Sequence, residues 1–390
     1  MENPEEEPDE GRFAVPERIP TAALIFAALL VPCLLFAAPA SAQKREAATG
    51  DAAAEGEMAA GFKDLVEVSE VLLDVVATDA EGAPVVGLGE EDFVVEEGGE
   101  PVKITGVSYY STRYGPGETP DTAEEIPWSR YLIFFFDHQP RDARYGSESM
   151  RQKLRSLQQC RRWVEEEMQP SDWAAVVRWD GDLAVYRDFT QDRDSLLSAL
   201  ERAATGKRPA DFEPGRRRAG EEFFSIRDRL EPRENRGERE TIYGALGRVA
   251  AATGHVVGRK NLLLFTLGFG ERDPGGYESY PDPERYPELE ALLNDHNVAV
   301  YPVDLTPPGR QARYGEVLER IATDTGGFYD EDFVGVLRLI KDVAEENQGF
   351  YLLSYQSPRP AGEIGYQRLE VRARDPEISV RARRGYRYGL

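Results

Sequence analysis

Cysteine, histidine and methionine are all scarce in this chain, and its acids outnumber its bases. Two cysteines, Cys33 and Cys160, occur in 390 residues. Cys33 lies in an N-terminal apolar run, so the folded protein keeps only Cys160, which excludes an intrachain disulfide framework and a cysteine metal site. The three histidines, His138, His255 and His296, are scattered without ligand spacing, which argues against a histidine metal centre. Lysine and arginine number 47 against 71 aspartates and glutamates, a formal net charge of -24. Phosphate contacts need a basic surface, so nucleic acid is excluded as a partner and adsorption on anionic lipid is disfavoured. No serine stands in a G-x-S-x-G context, which removes a serine hydrolase. Gly268 and Gly270 lack the third glycine of a dinucleotide loop, and the acids Glu271 and Asp273 beside them would repel a pyrophosphate. The chain is expected not to be an enzyme.

The N-terminus reads as an address. Residues 21–38 are almost wholly apolar, follow Arg12 and Arg18, and precede Ala40-Ser41-Ala42, a small-residue cleavage pattern. A signal peptide over residues 1–42 is expected, which places the mature protein outside the cytoplasm, in the periplasm or secreted. The acidic leader before the run departs from that pattern, so an uncleaved membrane anchor stays open as the second reading. The membrane enters only through that anchor. Residues 43–64, rich in Ala, Glu and Gly, read as a flexible linker.

Residues 65–111 alternate apolar and polar positions in short pieces, with turns at Glu81-Gly82 and Gly98-Gly99, as in part of a small β-sandwich. A Gly- and Pro-rich linker fills 112–128. From Tyr131 strands and helices alternate, which implies a doubly wound, mostly parallel α/β sheet over 129–357, with FYLLSYQ (350–356) as its final strand. Asp180-Gly181 joins two strands into an antiparallel hairpin at its edge. The tail, 358–390, reads as a β hairpin turning at Asp375-Pro376. It resembles the first β segment in style, so the α/β unit is expected to be inserted between two parts of one sandwich.

The run RYLIFFFD puts six apolar residues, 131–136, directly before Asp137. Such a run suits a strand buried on both faces, with Asp137 at its C-terminal end. Ligands of open α/β sheets bind outside the carboxyl ends of the strands, so Asp137 marks the candidate site.

The phrases DVVATDAEGAPVVGLGEEDFVVEEGGEPVKI (74–104) and VRARRGYRY (380–388), around a strand ending in Asp, resemble the exported von Willebrand factor A-related proteins described mainly from Acidobacteria. The resemblance covers 66–388 and implies a von Willebrand factor A-like binding module. Many such modules hold a divalent cation, Mg or Mn, through a D-x-S-x-S loop, a Thr in a second loop and an Asp in a third. Asp137 matches the first Asp and Thr241 the Thr. Gln139 and Arg141 stand at the serines, and Leu267 stands at the last Asp. The expectation is therefore a degenerate metal-ion-dependent adhesion site with no cofactor. A guanidinium at Arg141 could satisfy Asp137 in place of a cation.

Two long loops belong to the same edge. One spans 205–240 and carries Phe223 and Phe224; the other spans 271–285 and carries Tyr277 and Tyr280. With His138 and Gln139 they make up the expected partner-binding edge, since interface residues concentrate on loops held by a rigid scaffold. The expected function is an exported, non-catalytic adhesion-type module for a protein or cell-surface polymer. Two rivals stand beside it: a scaffold subunit of an envelope complex that uses the sandwich, and a metal-dependent hydrolase built on Asp137.

Overall fold

The computed structural model describes residues 70–111, 125–127, 129–138, 146–209, 225–231, 240–276, 278–307, 313–329, 335–346, 349–359 and 364–388. The expectations for the signal segment, the first linker and most of the second fall outside them. All described residues belong to one compact unit, Asp64–Leu390.

The central sheet has five strands in the order β12-β9-β6-β7-β8. Strands β6 (Arg130–Asp137), β7 (Asp172–Trp179), β9 (Lys260–Thr266) and β12 (Val298–Asp304) are parallel, and β8 (Leu183–Thr190) returns antiparallel from the expected hairpin. Both faces of the sheet are covered. Ile133 and Phe135 of β6 pack with α3 (Ile242–Ala252), α4 (Tyr286–Asp295) and α5 (Gly315–Asp324) on one side. Phe134 and Phe136 pack with α1 (Gly146–Arg162), α2 (Arg193–Thr205) and α6 (Val336–Glu346) on the other. This two-sided burial is why the run carries no alternation; truncating any one of these phenylalanines should cost about 3–5 kcal/mol.

At the β12 edge, the Val300 amide donates to Thr325 Oγ1 at 3.0 Å, so that side of β12 is covered by chain and not by a strand. Pro302 has the same parity as Val300. Its missing N–H therefore faces the side that has no ladder to lose. Gly327 lies so close that a Cβ there would sit 2.0 Å from the Val300 carbonyl oxygen.

Two sheets, antiparallel except for the β4–β5 pair, form the sandwich. One runs β15-β1-β13-β4-β5 and the other β16-β14-β2-β3. Strands β1 (Glu70–Thr78), β2 (Phe93–Glu97), β3 (Glu100–Val102), β4 (Ile104–Ser111) and β5 (Glu125–Pro127) precede the α/β sheet, and β13 (Gly349–Gln356), β14 (Gly365–Ala373), β15 (Ser379–Ala382) and β16 (Gly385–Tyr388) follow it. Leu73, Val75, Phe93, Tyr351, Leu353 and Leu369 fill the space between them.

Two expectations are corrected here. FYLLSYQ is not the last strand of the α/β sheet: β13 lies between β1 and β4, antiparallel to both, with Leu353 opposite Leu73 and Val107. The tail is not a hairpin either. Strand β14 pairs with β2 and β16, whereas β15 pairs with β1, so the turn at Asp375-Pro376 carries the chain from one sheet to the other.

The sandwich covers the N-terminal edge of the α/β sheet. Asp74 of β1 accepts from the Asn297 side chain just before β12. Arg383 donates to the carbonyls of Asn294 and Leu72, each at 2.8 Å. Asp295 accepts from the Arg387 amide at 2.7 Å. Within the sheet, Arg130 and Asp172 at the starts of β6 and β7 form a buried two-pronged pair at 2.6 and 2.8 Å.

Candidate functional site

Asp137 ends β6 at the opposite, C-terminal edge, 3% exposed. Its Oδ2 accepts a hydrogen bond from Thr266 Oγ1 at 2.6 Å, and the same hydroxyl oxygen accepts from the Gly268 amide at 2.9 Å. Thr266 ends β9, the strand beside β6, and is itself fully buried. One strand further out, in register with Thr266, stands Asp304. Its carboxylate accepts from the Thr306 amide at 2.7 Å and the Tyr329 hydroxyl at 3.2 Å. The edge thus carries a row of Asp137, Thr266 and Asp304. Sequence reading singles out only the first, although VAVYPVD closes on an acid just as RYLIFFFD does.

His138 is held beside this row. Its backbone amide donates to the Trp179 carbonyl at 2.8 Å, and its ring Nδ1 lies 2.9 Å from Lys153 Nζ. Lys153 comes from α1 and is only 5% exposed. Lys153 is a charged residue that sequence reading misses. The available signal is the run of polar positions Ser149, Lys153 and Ser156 within the buried stripe of α1.

Thr241 is the N-cap of α3, and its Oγ1 accepts from the Gly244 amide at 3.2 Å. Leu267 packs against the apolar cluster under α1, α2 and α6 and offers no oxygen. Gln139, Arg141, Phe223, Phe224 and Tyr277 lie outside the described residues. The structure therefore brings Asp137 and His138 together at the edge and gives Thr241 a capping role.

The loop after β9 is built, not loose. Strands β10 (Glu271–Arg272) and β11 (Ser279–Tyr280) pair as a small antiparallel ribbon. Gly270 (φ 120) allows the close turn, since a Cβ there would meet the Tyr280 carbonyl at 2.7 Å. The ribbon is tied to α5, where Ser279 Oγ donates to the Glu316 carboxylate and holds it below its ordinary range. It is also tied to α3, where the Asp282 amide donates to the Tyr243 hydroxyl at 2.9 Å. Burial pushes that tyrosine up to about 12. Tyr280 stands on this platform, 43% exposed.

A hard cation needs several converging oxygens. Here one Asp137 oxygen takes a hydroxyl proton, Leu267 contributes none, and an ammonium is buried one hydrogen bond from the next residue. Among the described residues no group of three His, Cys, Asp or Glu side chains is placed to hold a metal. The described groups do not by themselves make an oxygen shell for a divalent ion, and Gln139 and Arg141 lie outside them.

No family model and no curated protein matches the chain. Among solved structures it is distantly similar to a von Willebrand factor type A protein from Catenulispora acidiphila, at 9% identity and a TM-score of 0.35, over 77% of this chain and 73% of that one. The N-terminal domains of the type V pili tip protein Mfa5 from Porphyromonas gingivalis match at 9% identity and 0.37, over 77% and 69%. Proximal thread matrix protein 1 from the mussel byssus matches at 14% and 0.32, and this chain covers 48% of its length. At these scores the likeness adds nothing to what the strand order itself shows: a mostly parallel α/β sheet joined to a β-sandwich.

Proposed function

We propose that the protein is an exported, non-catalytic binding module that offers the C-terminal edge of its parallel sheet to another protein or a surface polymer, without a metal ion. One observation carries this reading: the sandwich covers the N-terminal edge through Asp74, Arg383 and Arg387, so the opposite edge, with its loops, is the end left for a partner. Tyr280, 43% exposed, is the described side chain there that suits a partner's apolar surface, and His138 stands at the same edge. The buried, hydrogen-bonded Asp137 suits a positioning role in this edge better than acid-base chemistry.

The test is site-specific photocrosslinking. A benzoylphenylalanine at position 280 is expected to capture a discrete envelope polypeptide or polymer, and His138→Ala to weaken capture while leaving the fold intact. Crosslinks from position 86 alone, on the exposed side of the sandwich, would transfer the role to the scaffold reading.

A further inference from the structure

The outer face of α1 runs against the charge of the chain. This helix carries five bases, Arg151, Lys153, Arg155, Arg161 and Arg162, against one acid, Glu148, whereas the whole chain has a formal net charge of -24. Lys153 is buried beside His138. The four arginines divide by position. Toward the C-terminal end they are matched: Arg161 lies 3.4 and 3.9 Å from Glu165 and Glu201, and Arg162 lies 2.8 Å from Glu166. Pairs of this kind are what an ordinary solvated helix face shows.

Toward the N-terminal end the matching stops. Arg151 and Arg155 are both exposed, and no carboxylate among the described residues pairs with either. Arg151 Nε donates to the Ser147 carbonyl of its own helix at 3.3 Å. Glu148, half-buried, stands at the margin of the face. On the flanking helix α2, Glu201 is already shared between Arg161 and Lys207.

The same end exposes apolar side chains. Met150 and Leu154 are each 40% exposed, and Gln158 continues their row one turn further on. The stripe of α1 that packs on the sheet is supplied by Leu157 and Cys160, so Met150 and Leu154 are surplus to the core. Residues four apart stand one above the other on a helix. Met150 and Leu154 therefore make an apolar row, with Arg151 and Arg155 as a cationic row beside it, each repeating at about 6 Å.

We infer that the N-terminal half of α1 docks an acidic amphipathic helix of a partner protein, whose apolar row packs beside Met150 and Leu154 and whose carboxylates meet Arg151 and Arg155. Rows of residues four apart on two helices interdigitate, and guanidiniums take carboxylates in two-pronged, charge-assisted hydrogen bonds. A single helix meets only this face, within the roughly 8 Å over which exposed charges act at physiological salt. An anionic bilayer is an extended surface and would also meet the negative charge of the rest of the chain. The face lies on the helical flank of the sheet, so its use does not require the edge proposed above.

Fluorescence anisotropy of the full chain with a labelled, capped peptide of Glu-Leu-Ala-Gln repeated four times tests this, with Lys-Leu-Ala-Gln repeated four times as control. The acidic peptide is expected to bind at least about tenfold tighter than the basic one. Arg151→Glu combined with Arg155→Glu is expected to weaken it at least about tenfold without moving the melting midpoint. If that midpoint does move, Arg151→Gln with Arg155→Gln decides, and it is expected to weaken binding in the same direction. Leu154→Ala is expected to weaken it as well, and Tyr280→Ala to leave it unchanged, which separates this face from the edge. Absence of binding, equal or tighter binding of the basic peptide, or unchanged affinity in the arginine variants would each overturn the inference. So would a loss in Tyr280→Ala as large as that in the arginine variants. Binding of the chain to phosphatidylserine vesicles that the arginine variants abolish would overturn it in favour of a lipid surface.

Discussion

Thr266 shows how much one hydroxyl carries at this edge. It donates to Asp137 Oδ2 at 2.6 Å inside a fully buried position. Hydrogen bonds to charged groups contribute about 1.5–3 kcal/mol, and a carboxylate deprived of one in the interior is costly. Thr266→Val, nearly the same shape, is therefore expected to lose about 2 kcal/mol in urea unfolding, and a loss below about 0.5 kcal/mol would show that the bond does not matter. Lys260 gives a pH dependence at the other end of the sheet. Desolvation pulls it down to about 8, while the Asp74 carboxylate acts upward and the Arg383 guanidinium downward. Below that pH both the folded and unfolded chains hold the proton, and the cost of burying the ammonium stands in full. Between about pH 8 and the ordinary lysine value of about 10.4 the unfolded chain still binds the proton that the folded chain has released, so this residue's contribution to stability rises with pH, by roughly 3 kcal/mol in all. Urea titrations at about pH 7.5 and pH 10 should show that rise in the wild type and lose it in Lys260→Met. Identical slopes in the two proteins would remove Lys260 as its source. At this scale the sequence is partly legible. An apolar run closed by an acid marks Asp137, and the same signal marks Asp304. Lys153 is harder to find, because a lysine in a helix reads as a solvated side chain until its neighbours are known to be buried.

Among the elements, those of the α/β sheet are read more surely than those of the sandwich, for a physical reason. Runs such as RYLIFFFD and NLLLFT need helices on both faces, and helical stretches follow them in order. FYLLSYQ has the same apolar texture but is buried by a second sheet, and periodicity alone cannot separate the two environments. The turn at Asp375-Pro376 has the composition of a hairpin turn. What sends β15 to the other sheet is its pairing with β1, some 300 residues earlier in the chain, which no local signal records. The Thr325–Phe328 stretch that covers the β12 edge yields a direct test. Gly327→Ala would place a methyl 2.0 Å from the Val300 carbonyl oxygen. A backbone neighbour cannot give way as a flexible side chain can, so a loss of at least about 2 kcal/mol is expected. Thermal melts report it, and an unchanged midpoint would mean that the stretch does not seal the edge. Truncation after Gln356 deletes β14, β15 and β16. It leaves β13 and β1 with exposed apolar faces and β2 without its main partner. Aggregation on size-exclusion chromatography is expected, and a soluble monomer would argue that the tail is dispensable.

Across the whole molecule, the two ends of the parallel sheet have different fates. The sandwich closes the N-terminal end through a buried polar cluster of Asp74, Asn297, Asn294 and Arg383. The C-terminal end carries the row of Asp137, Thr266 and Asp304, the Lys153–His138 pair and the platform under Tyr280. On the proposed reading the second end is the recognition face and works without a metal ion, with Asp137 held by the Thr266 hydroxyl in place of a cation. The most direct measurement is thermal melting of the full chain in millimolar Mg2+, Mn2+ or EDTA, with Asp137→Ala run in parallel. The wild-type midpoint is expected to be the same in all three conditions, because ligand binding to the folded state alone would raise it. A rise with Mg2+ or Mn2+ that EDTA reverses and Asp137→Ala abolishes would contradict a metal-free edge.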